Sequence, residues 1–134
     1  MKGKFYMVIN DIVNVMFAGD SPSPIDNLIK CGFGSRTSYR VAKTYKRIAA
    51  EFELYQEQVR KIYEKYGTAD ADGRYRFEGD AVRAVNGEIA ELMSTDITDF
   101  PEEKIQIKLT DNLKLAAKDI ILLEPFFDFV EEGD

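Results

Sequence analysis

The chain has 134 residues, a formal net charge of −6, one cysteine and no histidine. This length suits one domain, and the lone Cys31 excludes an internal disulfide bond. Without histidine the chain has no Ser–His–Asp triad, no Cys–His dyad and no histidine-ligated metal. No apolar run approaches the ~20 residues that span a membrane. We therefore expect a cytoplasmic protein with no membrane anchor and no cofactor.

The N-terminal part of the chain predicts two short helices separated by a break. Apolar side chains recur every three or four positions over residues 5–17, which favours an amphipathic helix. The many β-branched residues of this segment leave a strand as the alternative. Residues 19–24 contain glycine, serine and proline and interrupt it. Ser23 is suited to cap a second helix, with Pro24 in its first position. The glycines expected to end that helix are Gly32 and Gly34.

Residues 37–66 carry the strongest structural signal. They contain no glycine or proline, and apolar residues occupy the a and d positions of a heptad repeat. The pattern predicts one continuous helix, which Gly67 is expected to end in a left-handed conformation. At ~1.5 Å per residue this helix is roughly 45 Å long. This is longer than a compact domain of this size allows, because such a domain has a radius of gyration of only ~14 Å. Part of the helix is therefore expected to project or to pack against another chain. The heptad positions are Val41, Tyr45, Ile48, Phe52, Tyr55, Val59, Ile62 and Tyr66.

The second half of the chain contains three segments with the pattern of strands or turns. Residues 70–73 form an Asp-Gly turn that leads into a strand at 74–77. Residues 104–109 alternate strictly between polar and apolar side chains and are the best strand candidate. Strands this short need partners, so we expect a small sheet or hairpin among residues 74–77, 95–100 and 104–109.

Two further helices are predicted in the same half. One covers residues 80–94, and the other begins near Leu115. Pro125 is expected to kink the last helix, whose buried face continues through Val130. Both are expected to pack on the long helix.

These elements predict an α+β fold that is mostly α. One long amphipathic helix packs with two or three shorter helices and a small β element of two or three strands. We expect one domain over residues 1–134. Residues 1–35 form a helical segment with its Pro- and Gly-rich connection, and residues 36–134 form the main body.

A stripe of basic residues marks the start of the long helix. Arg36, Arg40, Lys43 and Arg47 are spaced four, three and four apart, and no acidic residue occurs between positions 36 and 50. This spacing places them on one helical face. The stripe is the candidate partner-binding surface. Three interpretations of this stripe are open: a face that only contacts solvent, a contact for an acidic protein surface, and a contact for nucleic acid.

Two other motifs have ordinary interpretations. The acidic turn at 70–73 resembles a calcium loop, but the glutamate required at its twelfth position is replaced by Gly79. The Gly-rich segment at 32–37 precedes a helix, but it lacks the lysine of a phosphate-binding loop. We interpret the first as a plain turn and the second as a helix stop. No metal site is predicted, and no pair of carboxylates stands out as an acid–base couple.

Three passages from Tyr39 to the C-terminus follow one another in a characteristic order. They are Tyr39-Arg40-Val41-Ala42-Lys43 with Tyr55-Gln56-Glu57-Gln58 and Tyr63-Glu64-Lys65-Tyr66-Gly67, then Asp70-Ala71-Asp72-Gly73-Arg74-Tyr75 with Glu88-Ile89-Ala90-Glu91-Leu92-Met93, then Leu122-Leu123-Glu124-Pro125-Phe126-Phe127. In order and spacing they resemble a family of small, functionally uncharacterised proteins of bacteriophages and prophages. The resemblance implies a phage origin, a mostly helical fold and an accessory role in virion assembly or host takeover.

The sequence therefore favours a non-enzymatic phage or prophage accessory protein that acts by protein–protein association. Its expected partner is a second copy of itself or a phage structural protein, and its place is the host cytoplasm or the virion. The polar contact would be the stripe Arg36, Arg40, Lys43 and Arg47, and the apolar contact would be the exposed end of the long helix. The alternatives are a nucleic-acid-associated phage protein and an enzyme that uses carboxylates with a metal.

Overall fold

The computed structural model describes residues 7–17, 19–97, 104–110 and 113–131. Over these residues the fold is α+β and mostly α, as predicted. The helices are α1 (Ile9–Met16), α2 (Pro24–Ile29), α3 (Ser35–Tyr66), α4 (Ala81–Met93) and α5 (Ala117–Leu123). The strands are β1 (Thr68–Ala69), β2 (Tyr75–Arg76), β3 (Ile105–Leu109) and β4 (Phe127–Glu131).

Local capping defines the two short N-terminal helices. The Asp11 carboxylate accepts the backbone N–H of Val8 at 3.0 Å, at the start of α1. Ser23 Oγ accepts the backbone N–H of Asp26 at 3.2 Å, and Pro24 is the first residue of α2. The predicted cap and helix start are thus confirmed. However, α2 ends at Ile29, before the glycines expected to end it. Residues 5 and 6 of the first predicted helix lie outside the described residues.

The predicted long helix is confirmed as α3, a single helix of 32 residues. Its Gly67 cap differs from the prediction, because φ is −113° and ψ is 166°, an extended conformation. The chain runs from this residue directly into β1. A Cβ at position 67 would lie 2.7 Å from Cε1 of Phe77 and 2.9 Å from the carbonyl oxygen of Tyr63. Glycine is therefore needed here for close approach rather than for a left-handed turn.

A small hairpin follows α3. β1 and β2 are antiparallel, with Thr68 opposite Arg76. The predicted turn between them is confirmed: Asp70 Oδ1 accepts the backbone N–H groups of Asp72 at 2.9 Å and Arg74 at 3.0 Å. Such local hydrogen bonds stabilise a plain turn, so this carboxylate already has protein donors.

The hairpin packs on the end of α3 through aromatic rings. The ring of Tyr63 lies 5.8 Å from that of Tyr75 and 5.3 Å from that of Phe77, measured between centroids. Aromatic pairs at these distances add to the stabilisation from burial. The hairpin thereby returns the chain to α4, which packs along α3.

The second sheet is a parallel pair, and it corrects two predictions. β3 pairs with β4, with Ile105 beside Phe127. The expected sheet among residues 74–77, 95–100 and 104–109 is therefore wrong: β2 pairs with β1, and Asp96 forms an isolated bridge with Val8. Residues 98–100 lie outside the described residues.

The predicted C-terminal helix through Val130 is also wrong. α5 ends at Leu123, and residues 127–131 form β4. Pro125 has no N–H to continue a helix, and the aromatic and β-branched residues after it suit a strand. The order β3, α5, β4 is a β-α-β unit, in which the helix provides the crossover that parallel strands require.

The main core is built around α1, α2 and the first half of α3. Helix α3 packs against α1, α2 and α4, whereas α5 packs against α1 and α2. The closest packing of the C-terminal helix is therefore on α1 and α2, whereas the sequence predicts the long helix as its partner. Asp119 of α5 is 5% exposed and accepts a hydrogen bond from Nδ2 of Asn27 at 3.0 Å, which links α5 to α2. The buried residues of the main core are Met7, Ile12, Val15, Ile25, Leu28, Val41, Ile48, Ile97, Ile107, Leu123, Phe126 and Phe127.

None of the helices in the described ranges combines the length and the hydropathy that crossing a membrane requires.

Two glycine substitutions are expected to have opposite effects on stability. Gly67→Ala forces Phe77 or the backbone to move and should lower the free energy of unfolding by about 1–3 kcal/mol. Gly87→Ala meets no atom within 4 Å and should raise it by about 0.5–1 kcal/mol, because alanine favours the helix interior. Urea unfolding followed by circular dichroism measures both. Equal unfolding midpoints for the two variants would contradict the close packing at Gly67.

Candidate functional site

The four basic residues predicted as a contact surface lie along the first half of α3. Arg36, Arg40 and Lys43 are exposed, whereas Arg47 is half-buried. Nη2 of Arg47 lies 3.3 Å from Oε1 of Glu51, one turn further along the helix. This ion pair reduces the positive charge that Arg47 presents to a partner. The outward basic surface is therefore carried mainly by the other three residues.

An exposed aromatic ring lies within this basic surface. Tyr39 is 65% exposed, and the ammonium of Lys43 lies 5.7 Å from the centroid of its ring. This distance permits a cation–π interaction. The surface therefore offers an aromatic face as well as positive charge.

A cleft of about 1330 Å³ opens beside the start of α3. Arg40 of α3 lines one side, and Lys104 and Lys108 at β3 line the other. Among the described residues that line it, Asp128 of β4 is the acidic one. We call this feature the basic cleft. One of the four predicted residues, Arg40, thus lies beside cations that are distant in sequence.

The sequence analysis missed the contribution of β3 to this cleft. Lys104 and Lys108 are polar positions of the alternating pattern that predicts a strand, and the pattern by itself assigns them no role in binding. Their position on the same cleft as Arg40 depends on how the β-α-β unit packs against α1 and α2. No local signal in the sequence specifies that packing.

Cys31 also lines the basic cleft. Its Sγ donates to the carbonyl oxygen of Asn27 at 3.4 Å and lies 4.0 Å from that of Lys114. Burial raises the pKa of the Cys31 thiol, because the thiolate is poorly solvated there. The thiol is therefore expected to stay protonated and unreactive at neutral pH.

The second candidate surface lies at the other end of α3. We define the distal arm as residues 52–66 of α3, the β1–β2 hairpin and α4. Val85 is the one apolar side chain of the distal arm that is fully buried, and it lies outside the main core. The seam residues from Phe52 to Tyr66 are half-buried. Val82, in the first turn of α4, is 48% exposed.

Charge on the distal arm is balanced by short-range ion pairs. Arg60 lies 2.9 Å from Glu64, and Lys61 lies 3.8 Å from Glu57, each pair one helical turn apart. Lys65 lies 3.5 Å from Glu88 and so connects α3 to α4. Exposed pairs of this kind add little stability. Their consequence is a nearly neutral surface beside the half-buried apolar seam.

In the part of the chain that the structure describes, three or more Cys, Asp or Glu side chains do not converge anywhere to hold a metal ion.

No family model matches this chain, and comparisons with curated proteins and with solved structures find no match. The functional inference therefore depends on the fold, the charge distribution and the surface chemistry of this chain.

The pKa of Cys31 gives a direct test of its surroundings. Alkylation by iodoacetamide should increase with pH through a midpoint above the value of about 8.5 that is usual for an exposed cysteine. The sign follows because a raised pKa leaves less thiolate, the reactive form, at any given pH. The same chain in concentrated urea is the control. A midpoint in the folded protein at or below that of the control would contradict the burial of this thiol.

Proposed function

We propose that this protein is a non-enzymatic accessory protein that acts by protein–protein association, first with a second copy of itself. The observation that supports this most directly is the distal arm. Its apolar seam over Phe52 to Tyr66 is half-buried, and Val85 is its one fully buried apolar residue. A helix stripe of this kind gains stability when another apolar surface covers it.

The second copy is favoured as the partner because of charge. Residues 53–66 contain three glutamates and three basic residues, so two copies of this segment do not repel each other strongly. The whole chain, in contrast, carries a net charge of −6. Two distal arms that pack together would form a four-helix arrangement, in which heptad-spaced residues face a common core.

The phage or prophage origin rests on the resemblance of the three passages from Tyr39 onward. An association module without catalytic residues fits an accessory role in virion assembly, with a phage structural protein as the further partner. Neighbouring genes for a portal, a tail or lysis would support this context. A wholly metabolic neighbourhood would count against it.

Self-association through the distal arm is testable by one substitution on α4. Val82→Glu should raise the dissociation constant of the dimer by about tenfold or more, because it places a carboxylate at an apolar contact. An acidic residue in the first turn of a helix is favourable, so the monomer should fold normally. Analytical ultracentrifugation over a concentration series measures the constant.

Leu54→Glu is the matched control for this test. Leu54 is 56% exposed, but it lies roughly 120° around α3 from the seam. The same change in charge should alter the dissociation constant by less than about twofold. A wild-type chain that stays monomeric at high concentration would overturn self-association, and equal effects of the two substitutions would move the contact away from the seam.

Nucleic acid is the second candidate partner, supported by the exposed ring of Tyr39 among Arg36, Arg40 and Lys43. Aromatic faces flanked by cations bind single strands by stacking and by phosphate contact. If this candidate is correct, a short single-stranded oligonucleotide should bind at low salt and weaken steeply as salt rises. Tyr39→Ala should then weaken binding by about 1–3 kcal/mol. Fluorescence anisotropy measures this, and no binding at low salt would remove this candidate.

A further inference from the structure

Strand β3 has an open edge. It is paired with one strand, β4, and within residues 7–17, 19–97, 104–110 and 113–131 its other edge has no backbone hydrogen-bond partner. An edge strand presents N–H and C=O groups that another extended chain can pair with. Recognition of peptides by strand addition uses such an edge for affinity and adjacent pockets for specificity.

The basic cleft lies beside this strand. Lys104, Ile105, Gln106, Lys108 and Thr110 line it on one side, and residues around Phe33 and Arg40 line it on the other. The five residues of β3, at ~3.3 Å each, measure roughly 17 Å. The cleft has a volume of about 1330 Å³. It therefore has room for an extended segment about as long as β3.

Charge in the cleft selects an acidic occupant. Among the described residues that line the cleft, Arg40, Lys104 and Lys108 are cationic and Asp128 is acidic. The ammonium of Lys104 donates to the carbonyl oxygen of Glu124 at 2.9 Å, which holds this side chain at the cleft. Because the chain as a whole has a net charge of −6, an acidic partner is attracted here and repelled elsewhere.

The cleft also has an apolar component. Phe33, Ile105 and Leu113 line it and pack against the main core. Side chains of an extended segment point alternately to opposite sides. A segment that alternates acidic and apolar residues can therefore place one set near the cations and the other on this apolar lining.

We propose that the basic cleft binds an acidic, extended segment of a partner protein, which adds as a third strand to the open edge of β3. Residues of the distal arm do not line the cleft. The proposal is therefore independent of self-association, and either contact can form without the other.

The probe is a fluorescein-labelled heptapeptide of alternating glutamate and valine, acetylated and amidated at its ends. Fluorescence anisotropy with the full chain should show saturable binding with a dissociation constant below about 1 mM. Amide hydrogen exchange should slow at alternating positions of residues 104–110, because strand addition protects the outward N–H groups. Val82→Glu should bind the peptide with unchanged affinity, which separates this contact from self-association.

Three charge-reversal variants, two milder variants and one modified peptide isolate the mechanism. Arg40→Glu and Lys108→Glu should each weaken binding by about tenfold, through reversed charge at the cleft. Lys46→Glu makes the same change on exposed α3 surface outside the cleft and should alter binding by less than about twofold. A heptapeptide methylated on alternate backbone nitrogens keeps its charge but cannot pair as a strand, so it should not bind. Arg40→Gln and Lys108→Gln provide milder changes, should a reversed charge disturb folding.

Four outcomes would overturn the proposal. The first is no binding of the peptide, and the second is equal binding of its methylated form. The third is a loss with Lys46→Glu as large as that with Lys108→Glu, which would indicate attraction without a defined site. The fourth is tighter binding of a single-stranded oligonucleotide than of the peptide at the same cleft, which would assign the cleft to nucleic acid.

Discussion

The length of α3 is the constraint on which the rest of this structure depends. A helix of 32 residues extends for roughly 48 Å, whereas a compact chain of 134 residues has a radius of gyration of only ~14 Å. The other elements cover the helix unevenly. Its first half contributes Val41 and Ile48 to the main core, against which Phe52 also packs. Among the described residues, the rest of its second half packs against α4 and against a hairpin with two residues in each strand. A half-covered apolar seam is the direct consequence.

Sequence reasoning succeeded where the signal is local. The heptad pattern specified α3 because one helix face repeats every three to four residues. Ser23 with Pro24, and Asp70 with the turn that follows it, act on backbone groups within four residues. Local hydrogen bonds of this kind depend little on the rest of the fold, so each was predictable from the residues themselves.

Sequence reasoning failed where the conformation of a segment depends on contacts with residues distant in the chain. The apolar run after Pro125 is compatible with either a buried helix or a buried strand, and periodicity cannot distinguish them. The pairing of β3 with β4 decides the matter, because a parallel partner supplies hydrogen bonds that a single segment lacks. The conformation of Gly67 was missed for a similar reason. The ring that requires a glycine there belongs to Phe77, on the far strand of the hairpin.

The same division applies to the two candidate surfaces. Helical spacing predicted the basic stripe, including Arg40, but the contribution of Lys104 and Lys108 required the fold.

Five basic residues and no acidic one occur between positions 36 and 50, although like charges one turn apart destabilise a helix and cations at its N-terminus oppose the macrodipole. Glu51 forms an ion pair with this stripe, at Arg47. An anionic partner would relieve that repulsion at one end of α3, and an apolar partner would cover the seam at the other. Because the two proposed contacts differ in chemistry, one anionic and one apolar, we propose that one copy of this chain connects two different surfaces.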